Sequence, residues 1–441
     1  MRASPPDLPL KRWAARPTLR TIIFWPHLIA GVSAGVVILL MSVTGVLLTY
    51  ERQMIAWADS HFRSVPPSLD APRLPVETLL AKFAQERPDL VPTAITIGSA
   101  PDAPVVLTVP QRTVYADAYT GGLLGEGSQG VRRFMSELRA WHRWLAVDGE
   151  ARPVARAITG WSNFVFLFIV VSGFYLWFPR KWTWQHVKPV VLFNGKVRGR
   201  ARDFNWHNVI GAWSAVVLFI VVLSAMPISF PWANALVYRI VGEQPPAPLG
   251  GAGGAAPSTV ARRQGGPPSR ETQPASRRDG NGPSPFEGLN ALWVRAERQV
   301  PGWRTINLRI PTPNSPAAPV VFAIDQGNGG QPHLRSTLSL DRTTGNVVSF
   351  ESFSDQSLGR RLRSISRFAH TGEVLGIVGQ TVAGIASAGG AVLVWTGLSL
   401  AFRRLRAWLK RRVARPVPYT QPPTTDPVGS RAAALIQERS Q

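Results

Sequence analysis

Asn205-Trp206-His207-Asn208-Val209-Ile210-Gly211 opens an apolar run that continues to Phe230 without an Asp, Glu, Lys or Arg. The apolar core of a bilayer is roughly 30 Å thick, and about 20 helical residues cross it. Residues 209–230 meet that length, and so do residues 28–49, 158–178 and 377–402, all free of charged side chains. Four such runs exceed what the buried helices of a soluble core explain. The chain is therefore read as a membrane protein with four spans.

The charge pattern agrees. The 441-residue chain carries a net charge of +23, which alone would suggest nucleic acid. The cations instead flank the apolar runs: Lys11, Arg12, Arg16 and Arg20 before the first, Arg180 to Arg202 between the second and third, and Arg403 to Arg412 after the fourth. Short basic segments mark the cytoplasmic side of a membrane protein. Both termini and the loop 180–206 are thus expected inside, with two long loops outside and no role for nucleic acid. There is no cysteine, which excludes disulfides, thiolate metal sites and covalent haem attachment through Cys-x-x-Cys-His. The first apolar run is longer than a signal peptide's core and is read as an uncleaved anchor.

The chain repeats its own plan. After the first span, residues 76–83 have helical apolar spacing, and β-like runs follow at 93–97, 105–109 and 113–119, closing on Thr120-Gly121-Gly122. A helical stretch, 129–147, then carries His142 into the second span. The second half offers the same series: a helix at 290–299, β-like runs at 305–310, 320–324 and 335–340, a turn at Thr344-Gly345, and the helix 358–370 ending in His370. His27 to Gly45 and His207 to Ala225 are equally spaced. Internal repetition of this kind decides an architecture. Between the halves, residues 244–285 are a Gly/Pro/Ser/Arg mixture too poor in apolar side chains to offset the entropy of ordering.

Four histidines occupy matching places, and ionisable groups at membrane depth are functional candidates. His27 and His207 stand at the inner ends of the first and third spans, and His142 and His370 on the outer side of the second and fourth. Imidazole is a good iron ligand, and bundles build cofactor sites from facing helices. Two on each face is what a pair of bis-histidine haems requires, so His27, His142, His207 and His370 are the expected ligands of two b-type haems. Gly31, Ala34, Gly35, Gly211, Ala212, Gly372, Gly376, Gly379 and Gly384 would leave room for a flat macrocycle, or alternatively serve helix packing. Arg20, Arg143, Arg202 and Arg367 are candidate partners for propionates. His61, His186 and His333 lack counterparts and are read as loop residues. Nucleotide-binding, zinc-protease and nucleophile-elbow motifs are absent, so electrons would come from a membrane quinol or a separate reductase.

These residues resemble a known family, the PepSY-associated transmembrane helix proteins, which include iron-regulated inner-membrane proteins and ferric-siderophore reductases of Gram-negative bacteria. The matching pieces are His27 with Thr44-Gly45, Tyr119-Thr120-Gly121, Trp141-His142-Arg143, Ser172-Gly173 with Leu176-Trp177-Phe178-Pro179-Arg180, Asn205-Trp206-His207, Leu340-Asp341 with Thr344-Gly345, His370-Thr371-Gly372 and Trp395-Thr396-Gly397. Leu28 and Ser224-Ala225-Met226 depart from the pattern, as does the long linker. The resemblance implies an inner-membrane four-helix bundle with two periplasmic α+β PepSY-like modules and an internal duplication. For the reductase members it also implies two b-type haems passing electrons outward, and the expectation for this chain is an electron-transfer protein with a periplasmic acceptor such as a ferric siderophore.

The expected divisions are a cytoplasmic lead (1–21), a first span (22–50), a first module (51–128), the helix carrying His142 (129–156) and a second span (157–179). A cytoplasmic loop (180–206), a third span (207–231), an outer segment with the linker (232–285) and a second module (286–356) follow. The helix carrying His370 (357–373), a fourth span (374–402) and a cytoplasmic tail (403–441) complete the chain. A reading of a different class also fits: a non-enzymatic envelope protein whose modules bind or restrain a protease or another partner. Replacing His207 and His370 by Ala separates the two, because only the first reading loses a cofactor.

Overall fold

Uncharged stretches of bilayer length are helical in the computed structural model, which describes residues 18–68, 70–179, 181–246, 286–311 and 318–413. The first half runs through α1 (Leu19–Leu48), α2 (Glu51–Ala58), α3 (Val76–Glu86), β1 (Ala94–Gly98), β2 (Val105–Val109), β3 (Arg112–Ala116), β4 (Leu123–Glu126), α4 (Gln129–Trp144) and α5 (Arg152–Trp177). After α6 (Trp184–Val191) the order recurs: α7 (Gly199–Ser229), α8 (Pro231–Ile240), α9 (Leu289–Gln299), β5 (Thr305–Arg309), β6 (Val320–Asp325), β7 (Arg335–Leu340), β8 (Val347–Ser352), α10 (Leu358–His370) and α11 (Gly376–Val413). The expected linker from 247 onward and the tail beyond 413 lie outside the described residues.

Among these helices, α1, α5, α7 and α11 fall in segments long and apolar enough to cross a membrane. α1 packs against α5 and α11, and α7 packs against the same two. Val and Ile side chains on their outer faces, such as Val36, Val216 and Ile385, are exposed, as residues facing lipid would be. Small side chains permit close approach between helices. A Cβ at Gly389 would lie 3.2 Å from Ile210 on α7, and one at Gly390 would lie 3.3 Å from Ser42 Oγ on α1.

All eight strands form one antiparallel sheet in the order β4-β3-β2-β1-β5-β6-β7-β8. The two halves meet at β1 and β5, where Thr96 faces Asn307 and accepts a hydrogen bond from its amide at 2.7 Å. Alternation along the strands puts Ile95, Leu107, Val114, Leu308, Phe322 and Leu338 on one face, under α3 and α9, in one shared core. The two covering helices cap each other. Glu77 N donates to Asn290 Oδ1 at 3.0 Å, and Asn290 N donates to Glu77 Oε1 at 2.9 Å. Each bond satisfies an amide left open in a first helical turn.

Each half has four strands rather than three. The β-like run 113–119 is part strand and part turn: Asp117 reverses the chain by accepting from Tyr119 N and Thr120 N, both at 2.8 Å. Asp341 does the same for Thr343 N at 3.0 Å and Thr344 N at 2.8 Å. Gly121 and Gly345 then take φ of +74° and +68°, open to glycine at no steric cost. The returning β4 and β8 are edge strands, the first half-buried and the second largely exposed, so neither shows the buried alternation by which a strand is legible. α2, α6 and α8 were also not anticipated; each is short and half-buried or exposed.

Candidate functional site

The four spans and two flanking helices bring the histidines into two groups. α1 carries His27 one residue after Pro26, and α7 carries His207 early in its length. α4 ends with His142 in its last turn, and α10 ends on His370. α1 and α7, which carry His27 and His207, both pack against α5 and α11. The rings of His142 and His370 have centroids 6.1 Å apart with planes inclined at 45°. His61, His186 and His333 are exposed and separate, His186 with its Nδ1 2.6 Å from Thr183 Oγ1.

Each ring of the four is held through Nδ1. His27 Nδ1 lies 2.8 Å from Ser172 Oγ, His142 Nδ1 2.9 Å from Thr44 Oγ1, and His207 Nδ1 3.0 Å from Thr396 Oγ1. His370 Nδ1 lies 2.9 Å from the Val221 carbonyl. A glycine follows each hydroxyl residue. A Cβ at Gly173, Gly45 or Gly397 would stand 3.2, 3.5 or 3.3 Å from Cε1 of His27, His142 or His207. These glycines give the imidazoles room to lie against the neighbouring helix. The Thr-Gly and Ser-Gly pairs are visible in the sequence, but only the fold reveals which histidine each one receives.

The helices that carry His142 and His370 are anchored by side chains from other elements. Asp59, following α2, is 5% exposed. It accepts from Arg132 Nη2 of α4 at 2.6 Å, from Tyr115 Oη at 2.9 Å and from Ser128 N at 2.7 Å. Burial alone would raise this carboxyl's pKa, but those donors hold it below the ordinary value. Burial and the Asp59 carboxylate push the Tyr115 hydroxyl upward. On α10, Ser357 Oγ and Gly359 N donate to Glu243 Oε2 at 2.6 and 3.1 Å, and Arg363 Nε donates to Asn234 Oδ1 of α8 at 2.5 Å. Arg52 then ties α2 to Glu373 at 3.2 Å, just after His370. No sequence pattern marked Asp59 or Glu243, because their partners are distant in the chain.

The four candidate arginines have protein neighbours. Arg20 donates to the Phe178 carbonyl, and Arg202 pairs with buried Asp203 at 3.0 Å. Arg143 stacks 4.9 Å over Trp144 and Arg367 lies 5.5 Å from the Phe368 ring centre. Of the small residues, Gly35 and Gly211 approach Leu398 and Leu393 of α11, whereas a Cβ at Gly31 would meet nothing within 4 Å. Gly31 leaves open space one turn beyond His27. Gly372, after His370, adopts φ of +76°.

Among the described residues no three His, Asp or Glu side chains gather as a metal site. What the fold assembles is pairs. A metal–imidazole bond of about 2 Å on each side, with each ring centre roughly 1 Å beyond its nitrogen, separates two such rings by about 6 Å. At 6.1 Å, His142 and His370 are spaced as two imidazoles that would hold one metal ion between them. No curated protein matches the chain. The family model for the PepSY-associated TM region matches residues 24–404, a stretch that contains all four histidines, their hydroxyl partners and both halves of the sheet. The chain belongs to the PepSY-associated transmembrane family.

Proposed function

We propose that this membrane protein carries two b-type haems, one between His27 and His207 and one between His142 and His370. They would move electrons across the inner membrane to a periplasmic acceptor, a ferric siderophore. The observation that supports this most is the facing pair His142 and His370, each with Nδ1 engaged and the opposite nitrogen left for a ligand. Haem bound at these pairs would supply one-electron transfer.

The chain's own residues hold and space the two sites. His27 and Thr44 are 17 residues apart on α1, as are His207 and Ser224 on α7, about 26 Å along a helix at 1.5 Å per residue. This spacing supports one pair near each membrane face. Lys196 and Arg198 precede α7, Arg200 lies in its first turn, and Lys410 and Arg411 lie in the last turn of α11, which supports a cytoplasmic location for these helix ends. Both termini would be cytoplasmic, the four spans one bundle, and the sheet periplasmic. The recurrence of span, strands, histidine helix and span, with identical Asp-centred turns, supports an internal duplication. Electrons would enter from quinol or a separate reductase on the inner side.

Protein purified after expression with haem supply is the test. A b-type absorption spectrum that changes on reduction, and reverts when a ferric siderophore is added, is the expected result. Haem-free protein would reject the redox reading and leave partner binding by the sheet as the remaining one.

A further inference from the structure

We infer that Thr44, Ser172 and Thr396 are positioning residues that lock three histidines in one tautomer, Nδ1 protonated and Nε2 bare, and that the Val221 carbonyl does the same for His370. The inference rests on the haem reading for its purpose, but the tautomer follows from hydrogen-bond geometry alone.

A hydroxyl has a single hydrogen to donate. Thr44 Oγ1 lies 2.7 Å from the Leu40 carbonyl, Ser172 Oγ 2.7 Å from the Phe168 carbonyl, and Thr396 Oγ1 2.8 Å from the Val392 carbonyl. In each case the acceptor is the carbonyl four residues back, a bond that serine and threonine commonly make within a helix. With that hydrogen engaged, the oxygen faces the imidazole with a lone pair and can only accept. Nδ1 of His142, His27 and His207 must therefore carry the proton. His370 needs no such argument, because a carbonyl oxygen only accepts. All four rings thereby present an unprotonated Nε2, the form that binds a metal.

The fourth site differs in kind. Ser224 is the counterpart of Thr44, yet its hydroxyl donates to the Val221 carbonyl at 2.9 Å, the same oxygen that receives His370. The acceptor there is backbone and survives any side-chain change. Ser224 is then dispensable where Thr44 is not. In every case the histidine and its acceptor come from the same half of the chain, while the facing ring of the outer pair comes from the other half. Each half orients its own ligands before the two halves share a metal.

An acceptor on the far nitrogen of a ligating imidazole orients the ring and raises its basicity, and its loss costs about 10–100-fold in metal affinity. A more basic imidazole favours ferric over ferrous iron, so removing the acceptor raises the midpoint potential. Thr44→Val and Thr396→Val, which keep the shape and delete the hydroxyl, should lower haem retained per chain and raise the potential of what remains. Thr44→Ser and Thr396→Ser should restore both, and Ser224→Ala should match wild type. Valine variants indistinguishable from wild type, or Ser224→Ala behaving like Thr44→Val, would overturn the inference. Nitrogen NMR of histidine-labelled, haem-depleted protein tests it without the cofactor. Four rings protonated at Nδ1 support it, and rings protonated at Nε2 sink it whatever the haem content.

Discussion

His142 and His370 face each other at a centroid distance of 6.1 Å, although one belongs to the first half of the chain and the other to the second. Neither helix that carries them lies within a span. Both are short amphipathic helices whose positions are set by side chains far away in sequence. The pair therefore forms only when both halves are folded against one another, and predictions follow from each of the contacts that enforce this.

Removing Asp59 should loosen α4. Its carboxylate is buried with Arg132 at 2.6 Å, and deleting one partner of such a pair strands the other charge at a cost of about 2–5 kcal/mol. Asp59→Ala should lower the unfolding temperature of the detergent-solubilised protein, while the comparably paired but exposed Arg63 and Asp102 should tolerate replacement. An unchanged melting curve would contradict the anchoring role.

The same carboxylate sets an acid limit. Its pKa in the folded chain is below the ordinary aspartate value, so its contribution to stability is complete above about pH 4 and fades as pH falls through the folded value. Asp341, drawn down to about 2 by the amide and hydroxyl of Thr344 together with Thr343, acts in the same direction. Melting temperatures of wild type should decline on acidification below pH 4, and Asp59→Asn should flatten part of that decline.

Bulk beside the rings should displace them. Gly397→Val places methyl groups where a Cβ alone already stands 3.3 Å from His207 Cε1, whereas Gly130→Ala adds a methyl at an exposed position of α4 where nothing lies within 4 Å. The first should reduce haem content and alter the spectrum, and the second should do neither. Equal effects of the two would mean that the glycines serve helix packing rather than the imidazoles.

The sheet should fail as one unit. Phe322 is fully buried in a core that both halves share, and truncating such a residue costs about 3–5 kcal/mol. Phe322→Ala should raise hydrogen exchange in β1 and β2 as well as in β6, because β5 pairs directly with β1. Exchange confined to the second half would show that the two sets of strands are energetically separate.

The spans and the four histidines were legible because bilayer length and repeat spacing are local properties of the sequence. Strands such as β2 and β6 were legible through alternation, whereas β4 and β8 were not, since these edge strands carry no such pattern. The joining of both strand sets through Thr96 and Asn307, and the Asp59 and Glu243 anchors, depend on partners from 56 to more than 200 residues away. Nothing in a linear pattern encodes such distances. Thr44-Gly45, Ser172-Gly173 and Thr396-Gly397 were visible as words, but their role appeared only once each received an imidazole.

Counting haem per chain by pyridine haemochrome, in wild type and in a His142→Ala/His370→Ala double variant, tests the central claim most directly. The account predicts two haems in the wild type and one in the variant, which keeps the His27 and His207 pair. Wild type without haem, or a variant that retains both, would contradict it.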